Sequence, residues 1–257
     1  MNDNPVKRLN AFGQSPWLDF ISRDLVRSGD LDRLIVRWGL GGVTSNPAIF
    51  EKAIAHSGDY DADISKVSST GTSTAEIYES FVLDDVRRAA DAFASVYGST
   101  GRRNGYVSLE VSPHLVGDAS GTVAEAERLW TALDRPNAMI KVPGTAAGLV
   151  ATEDLIAAGI NVNVTLLFSL QRYRDVTEAF LTGLERAAAS GRALESIASV
   201  ASFFLSRIDT MVDGHLERII AEGGISAGLA WELPGRNRDR LRKARIRDLS
   251  GGRGTKR

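Results

Sequence analysis

The sequence predicts an α/β fold whose parallel sheet is of the eight-stranded α/β barrel kind. Three observations carry that prediction. Six short apolar segments alternate with helical stretches, the pattern of β-α units on a parallel sheet. A polar residue falls in or just after every one of those segments, as it does where a barrel builds a site at the carboxyl ends of its strands. The length, 257 residues, suits one such barrel as well as two small domains.

The strand candidates run in order. Pro16 to Asp19 ends on an acid, and Gly42 to Thr44 leads into Ser45 and Asn46. Tyr106 to Val111 contains Glu110, and Ala138 to Val142 contains Lys141 before a proline stop at Pro143. Ile160 to Leu166 holds Asn163 and Thr165, two apart and therefore on one face of a strand. Ile197 to Phe204 holds Ser202. Between them, Thr122-Val123-Ala124-Glu125 reads as a capping box opening a helix, with Val123, Ala126, Trp130 and Leu133 along one face. Gly159 reads as the stop of a helix from about Ala146 to Ala158.

Lys141 is the residue that points to chemistry. Met139-Ile140-Lys141-Val142-Pro143 otherwise spells a buried strand, and a strand covered on both faces offers no water to an ammonium group. Burial there favours the free amine, a nucleophile toward carbonyls. The alternative is a lysine that snorkels from a strand end to solvent. The polar residues on the neighbouring strands argue against that alternative. Unpartnered in a core, each would cost roughly 1 to 3 kcal/mol with no compensating use.

Composition excludes other classes of chemistry. There is no cysteine, so thiolate metal sites, disulfides and cysteine nucleophiles are absent together, and His56, His114 and His215 show no metal-ligand spacing. The start, Met1-Asn2-Asp3-Asn4-Pro5, is not signal-like and no apolar run is long enough for a bilayer, so the expectation is a soluble cytoplasmic protein. The net charge of −1 hides a basic stretch: Arg236 to Arg257 carries ten Lys or Arg against Asp239 and Asp248, leaving about −9 on the preceding residues. No aromatic residues interleave with those arginines, which argues against nucleic acid as a partner. Three motif spellings are accidental on this reading. Gly224-Ile225-Ser226-Ala227-Gly228 lacks the strand of a nucleophile elbow, and Asn163-Val164-Thr165 sits in a buried strand rather than a glycosylated loop. Asp59, Asp61 and Asp63 lack the glycine and closing glutamate of a calcium loop.

Taken together the segments resemble the transaldolases, specifically the longer bacterial type sometimes fused to a glucose-6-phosphate isomerase domain. The resemblance runs in order through Trp17-Leu18-Asp19, Gly42-Val43-Thr44-Ser45-Asn46-Pro47, Ser108-Leu109-Glu110-Val111-Ser112, Met139 to Pro143, Gly159 to Phe168 and Ser199 to Arg207. It implies a TIM-type (β/α)8 barrel and a class I aldolase mechanism, in which a dihydroxyacetone unit passes from a ketose phosphate to an aldose phosphate. The resemblance makes Lys141 the Schiff-base nucleophile and Asp19 the base for the C4 hydroxyl. It makes Glu110 a proton shuttle, working with a water held by Thr165. Asn46 and Asn163 would bind substrate hydroxyls, Ser202 would orient the fragment, and Arg207 would bind the phosphate. It implies sugar-phosphate partners and no metal or organic cofactor, and no feature of the sequence fixes an oligomeric state.

Against that family pattern, about six of eight β-α units are present before the arginine-rich stretch. The expected organisation is an incomplete barrel over residues 1–222 and a disordered Gly/Arg-rich tail over 223–257. Two alternatives follow: an aldolase that releases its three-carbon product without transfer, and an inactive barrel fragment with open edges. Codons for Asn237 to Ile246, displaced by one base, can also spell the helix that the family carries next, which suggests a frameshift. On that reading the next frame of the gene encodes two further strands, and sequencing that shows none there would remove the idea.

Overall fold

The computed structural model describes residues 4–67 and 71–222, and divides into two compact units, Met1–Ser202 and Phe203–Arg257. The expected tail over 223–257, the Gly224 to Gly228 spelling and the frameshift segment lie outside the described residues.

In the first unit the chain opens with α1 (Pro5–Arg8) and a 3-10 turn, then runs through β1 (Trp17–Leu18), α2 (Arg23–Arg27) and α3 (Asp30–Trp38). It continues with β2 (Gly42–Thr44), α4 (Pro47–Ala55), α5 (Asp61–Val67), α6 (Thr74–Ser99) and β3 (Tyr106–Glu110). Next come α7 (Ala119–Leu133), β4 (Ala138–Pro143), α8 (Ala146–Ala157), β5 (Val162–Leu167), α9 (Leu170–Ala189) and β6 (Ser199–Phe203). The second unit contains α10 (Leu205–Ala221). All six expected strands form, with ends within two residues of those read from sequence.

The sheet order is β1-β2-β3-β4-β5-β6, and the recorded pairings from β1 to β5 are all parallel. A sheet that grows in chain order without reversal is singly wound, as in six units of a TIM-type barrel, and has no switch point of a doubly wound sheet. Register then sorts the side chains. Val43, Val107, Ala138, Ile140, Val142, Val162 and Val164 align across neighbouring strands and are buried. Each of the larger aliphatic side chains among them contributes about 1.5–3 kcal/mol through burial. The alternate positions, Thr44, Ser108, Glu110, Lys141, Asn163 and Thr165, form a polar face.

Strands pass into helices through side-chain caps at the carboxyl end of the sheet. Asn46 Oδ1 accepts from Ile49 N at 3.0 Å, and Thr145 Oγ1 accepts from Gly148 N at 3.0 Å. The predicted stop at Gly159 is a full Schellman closure. Gly159 has φ +83°, its N–H reaches Ile156 O, and the N–H of Ile160 reaches Leu155 O.

The capping box expected at Thr122 and Glu125 does not form. Helix α7 starts earlier, because Asp118 Oδ1 accepts from Gly121 N at 3.0 Å and takes the cap. Thr122 is already inside the helix and its hydroxyl donates back to Asp118 O, while Glu125 accepts from Ser112 N at 3.2 Å. The buried face accordingly centres on Thr122, Ala126, Leu129 and Leu133, with Val123 and Trp130 only half-buried. A true capping box closes the start of α6, between Ser73 and Glu76.

Two buried asparagines fasten the opposite, amino end of the strands. Asn137 Nδ2 donates to Ala90 O and Gly105 O, both at 2.8 Å. Asn161 Nδ2 donates to Pro136 O and Ala138 O, and its Oδ1 accepts from Ala198 N. Helices α8 and α9 cross closely at Gly183, where an added Cβ would lie 2.7 Å from Ile156 Cβ and 2.8 Å from Glu153 O. Gly183→Ala is therefore expected to lower stability by about 1–3 kcal/mol in urea denaturation; an unchanged midpoint would contradict the close crossing.

Candidate active site

The polar face converges on Lys141. β4 is buried along its whole length, and Lys141 is 5% exposed, so the side chain does not snorkel outward. Its Nζ lies 3.5 Å from Glu110 Oε2 and donates to Ser45 O at 3.2 Å. Glu110 is the register partner of Lys141 on β3, and Asn163 is its register partner on β5. The lysine therefore has a carboxylate on one side and an amide on the other because the strands pair in this register.

Asn163 is fixed by a chain of hydrogen bonds. Its Nδ2 donates to Ser108 Oγ at 3.0 Å, and its Oδ1 accepts from Ser202 Oγ at 2.8 Å. These two bonds hold the plane of the amide between β3 and β6. Ser45 is held as firmly: its hydroxyl and its N–H both donate to Ser108 O, at 2.7 and 3.3 Å, which leaves the Ser45 carbonyl to meet the lysine. Two hydroxyls on the same face, Thr44 Oγ1 and Thr165 Oγ1, are buried with no hydrogen-bond partner among the described residues. Buried polar atoms ordinarily have a partner, so each of these hydroxyls is a candidate contact for a ligand.

The remaining expected residues are placed as follows. Asp19 is exposed and follows β1 directly, and its charge is felt at Glu110. Asn46 caps α4 through Oδ1. Arg207 belongs to the second unit, where it is exposed in the first turn of α10 with its guanidinium carbon 4.6 Å from the Phe204 ring centre. Lys141 thus meets Glu110 and Asn163 meets Ser202, with Asn163 the register neighbour of Lys141 and Thr165 the next residue beyond Asn163 on the same face. Sequence reading assigned no part to Ser45 or Ser108; the available signal for Ser108 is its spacing of two from Glu110.

A cavity of about 630 Å³ opens beside Glu110, lined by Asn46, Phe50, Tyr78, Leu109, Val111 and Leu129. Phe50, Tyr78 and Leu129 come from α4, α6 and α7, so this space lies largely between the helices and β3. Glu51, Glu79 and Glu125 also border it, a sign of charge that repels a phosphate.

Residues 16–231 match the family described as transaldolase/fructose-6-phosphate aldolase. The chain belongs to this family. Among its relatives, "Transaldolase 2" of Nostoc sp. is 49% identical over 220 residues, which are 86% of this chain and 58% of that protein. The transaldolase of Trichodesmium erythraeum is 49% identical over 217 residues, 84% of this chain and 57% of that protein. The transaldolase of Thermobifida fusca is 48% identical over 223 residues, 87% and 61% respectively. The chain thus spans about three fifths of the length of these curated relatives. Among the described residues no helix is long and apolar enough to cross a membrane.

Burial pushes the Glu110 carboxyl above the usual glutamate range; the charge of Lys141 and its hydrogen bond pull it back, and the charge of Asp19 adds to the rise. Folding therefore favours the protonated form of Glu110. Its stabilising contribution is complete below about pH 4.3 and is lost as pH rises through the folded value. Titration of the Glu110 carboxyl by carbon NMR should show a further rise in Lys141→Met and a fall in Asp19→Asn. The opposite direction in either variant would contradict the described arrangement.

Proposed function

We propose that the chain carries a transaldolase-type site, in which Lys141 forms a Schiff base with a ketose phosphate and a dihydroxyacetone unit is passed to an aldose phosphate. The observation that carries this reading is the buried Lys141 amine, which meets Glu110 and the Ser45 carbonyl and has Asn163 paired beside it on β5, at the carboxyl end of a parallel sheet. The names of the relatives support it.

On this reading the Lys141 nitrogen attacks the C2 carbonyl to give a carbinolamine, which loses water to become an iminium. Glu110 relays the protons of that step, with a water held at the unpartnered hydroxyl of Thr165. Asp19 then takes the proton of the C4 hydroxyl, the O–H electron pair becomes the new C4 carbonyl, and the C3–C4 bond breaks with its pair flowing into the iminium. The aldose phosphate departs, and the resulting enamine attacks the carbonyl of an acceptor by the reverse path. Asn163, locked by Ser108 and Ser202, holds a hydroxyl of the retained fragment, and so does the Nδ2 of Asn46, whose Oδ1 is taken by the cap. Arg207, in the second unit, carries a planar guanidinium of the kind that binds a phosphate. Side chains and water complete this sequence of steps.

The family description also includes aldolase activity, which favours one second reading: release of the three-carbon product without transfer. Borohydride reduction in the presence of fructose 6-phosphate is expected to leave an adduct on Lys141, found by mass spectrometry and lost in Lys141→Ala. No adduct on soluble, folded protein would overturn the Schiff-base reading. Products formed with and without an aldose phosphate acceptor separate transfer from plain cleavage.

A further inference from the structure

Arg23 stands outside the polar face, yet it is 2% exposed and among the largest fully buried side chains of the protein. Its Nε donates to Asp85 Oδ1 at 3.0 Å, and its Nη1 to Asp63 Oδ2 at 2.6 Å. Tyr60, fully buried, donates its hydroxyl to Asp85 Oδ2 at 2.8 Å and accepts the backbone N–H of Arg23 at 3.2 Å. The guanidinium also lies over the rings of Tyr60 and Phe81, at 4.3 and 4.7 Å from their centres. Three separate elements, α2, α5 and α6, and the loop before α5 are thereby tied to one side chain.

Replacing a buried ion pair with apolar residues is often neutral or stabilising, so stability alone is a weak reason for this cluster. Its position in the chain offers a better one. Only Phe20, Ile21 and Ser22 separate Asp19 from Arg23. Asp19 is exposed, and its side chain makes no hydrogen bond among the described residues. Its location is set by its backbone, which is anchored before it by the pairing of Leu18 with Val43 and after it by Ile21, fully buried, and Arg23.

We propose that Arg23, clamped by Tyr60, Asp63 and Asp85, is a positioning residue that fixes the segment Asp19–Ser22 and so places the Asp19 carboxylate for proton abstraction. The inference rests on the Schiff-base reading and extends it to groups that never meet the substrate. It predicts a split between the two halves of the reaction. Schiff-base formation depends on Lys141 and Glu110 and is untouched, whereas carbon–carbon cleavage depends on Asp19 and falls.

The test uses the full chain with Arg23→Lys and with Tyr60→Phe, a milder change that keeps the ring and removes both hydroxyl bonds. The expected result is a borohydride-trapped adduct within about twofold of the unaltered protein, with cleavage of fructose 6-phosphate down by about a hundredfold, as a displacement near 1 Å can produce. Asp19→Ala should show the same split. Hydrogen exchange should quicken at the amides of Phe20, Ile21 and Ser22 and stay unchanged in β4 and β5. If adduct and cleavage fall together in Tyr60→Phe, or neither falls, the positioning role is wrong and the cluster is structural. If the unaltered protein forms no adduct, the Schiff-base reading itself fails and takes this inference with it.

Discussion

A lysine placed inside a parallel sheet must be given partners, and the register of β3, β4 and β5 is what gives them. The two-residue repeat of a strand puts Lys141 beside Glu110 on one neighbour and beside Asn163 on the other. A slip of one residue in β3 would turn the carboxylate toward the helices, a slip in β5 would do the same to the amide, and each would present a valine or leucine to the amine instead. The apolar positions of the same strands hold that register, because they lose their burial if it shifts. Packing on one face of the sheet therefore secures the chemistry on the other.

The carboxyl end of the sheet carries costs that packing alone would remove. Thr44 and Thr165 keep hydroxyls without partners among the described residues, and burial disfavours the charge on Glu110. Leu166, the residue after Thr165, adopts φ +63° with its side chain partly exposed, an uncommon conformation for leucine. Strain and unmet polarity of this kind gather where a ligand is handled, and here they lie within a few register positions of Lys141 on neighbouring strands.

Much of this was legible in the sequence. Six apolar runs between amphipathic stretches give the strands, and parity along each strand gives the polar face, since Asn163 and Thr165, or Ser108 and Glu110, must share a side. The start of α7 was not legible, because Thr122 and Glu125 spell a cap while the competing acid, Asp118, stands only one turn earlier. Ser45 and Ser108 contribute through a carbonyl and a shared acceptor, which leave no mark on a residue pattern. The Arg23 cluster is hidden for another reason. Its partners lie 37, 40 and 62 residues away, and an arginine opening a short helix after Ser22 reads as a surface residue until the fold is known.

Asn137 and Asn161 give the sheet a second character at its amino end. Each reaches across backbone groups of neighbouring segments, so the register at the starts of β3, β4, β5 and β6 is fixed by side-chain amide bonds added to those of the strand ladder. A ruler of this kind does not care what the far ends of the strands carry. Residues around Lys141 lie outside this set of bonds, and the strands keep the same starting points whatever stands there. The fold thus has one end built to stay the same and one end free to be rewritten.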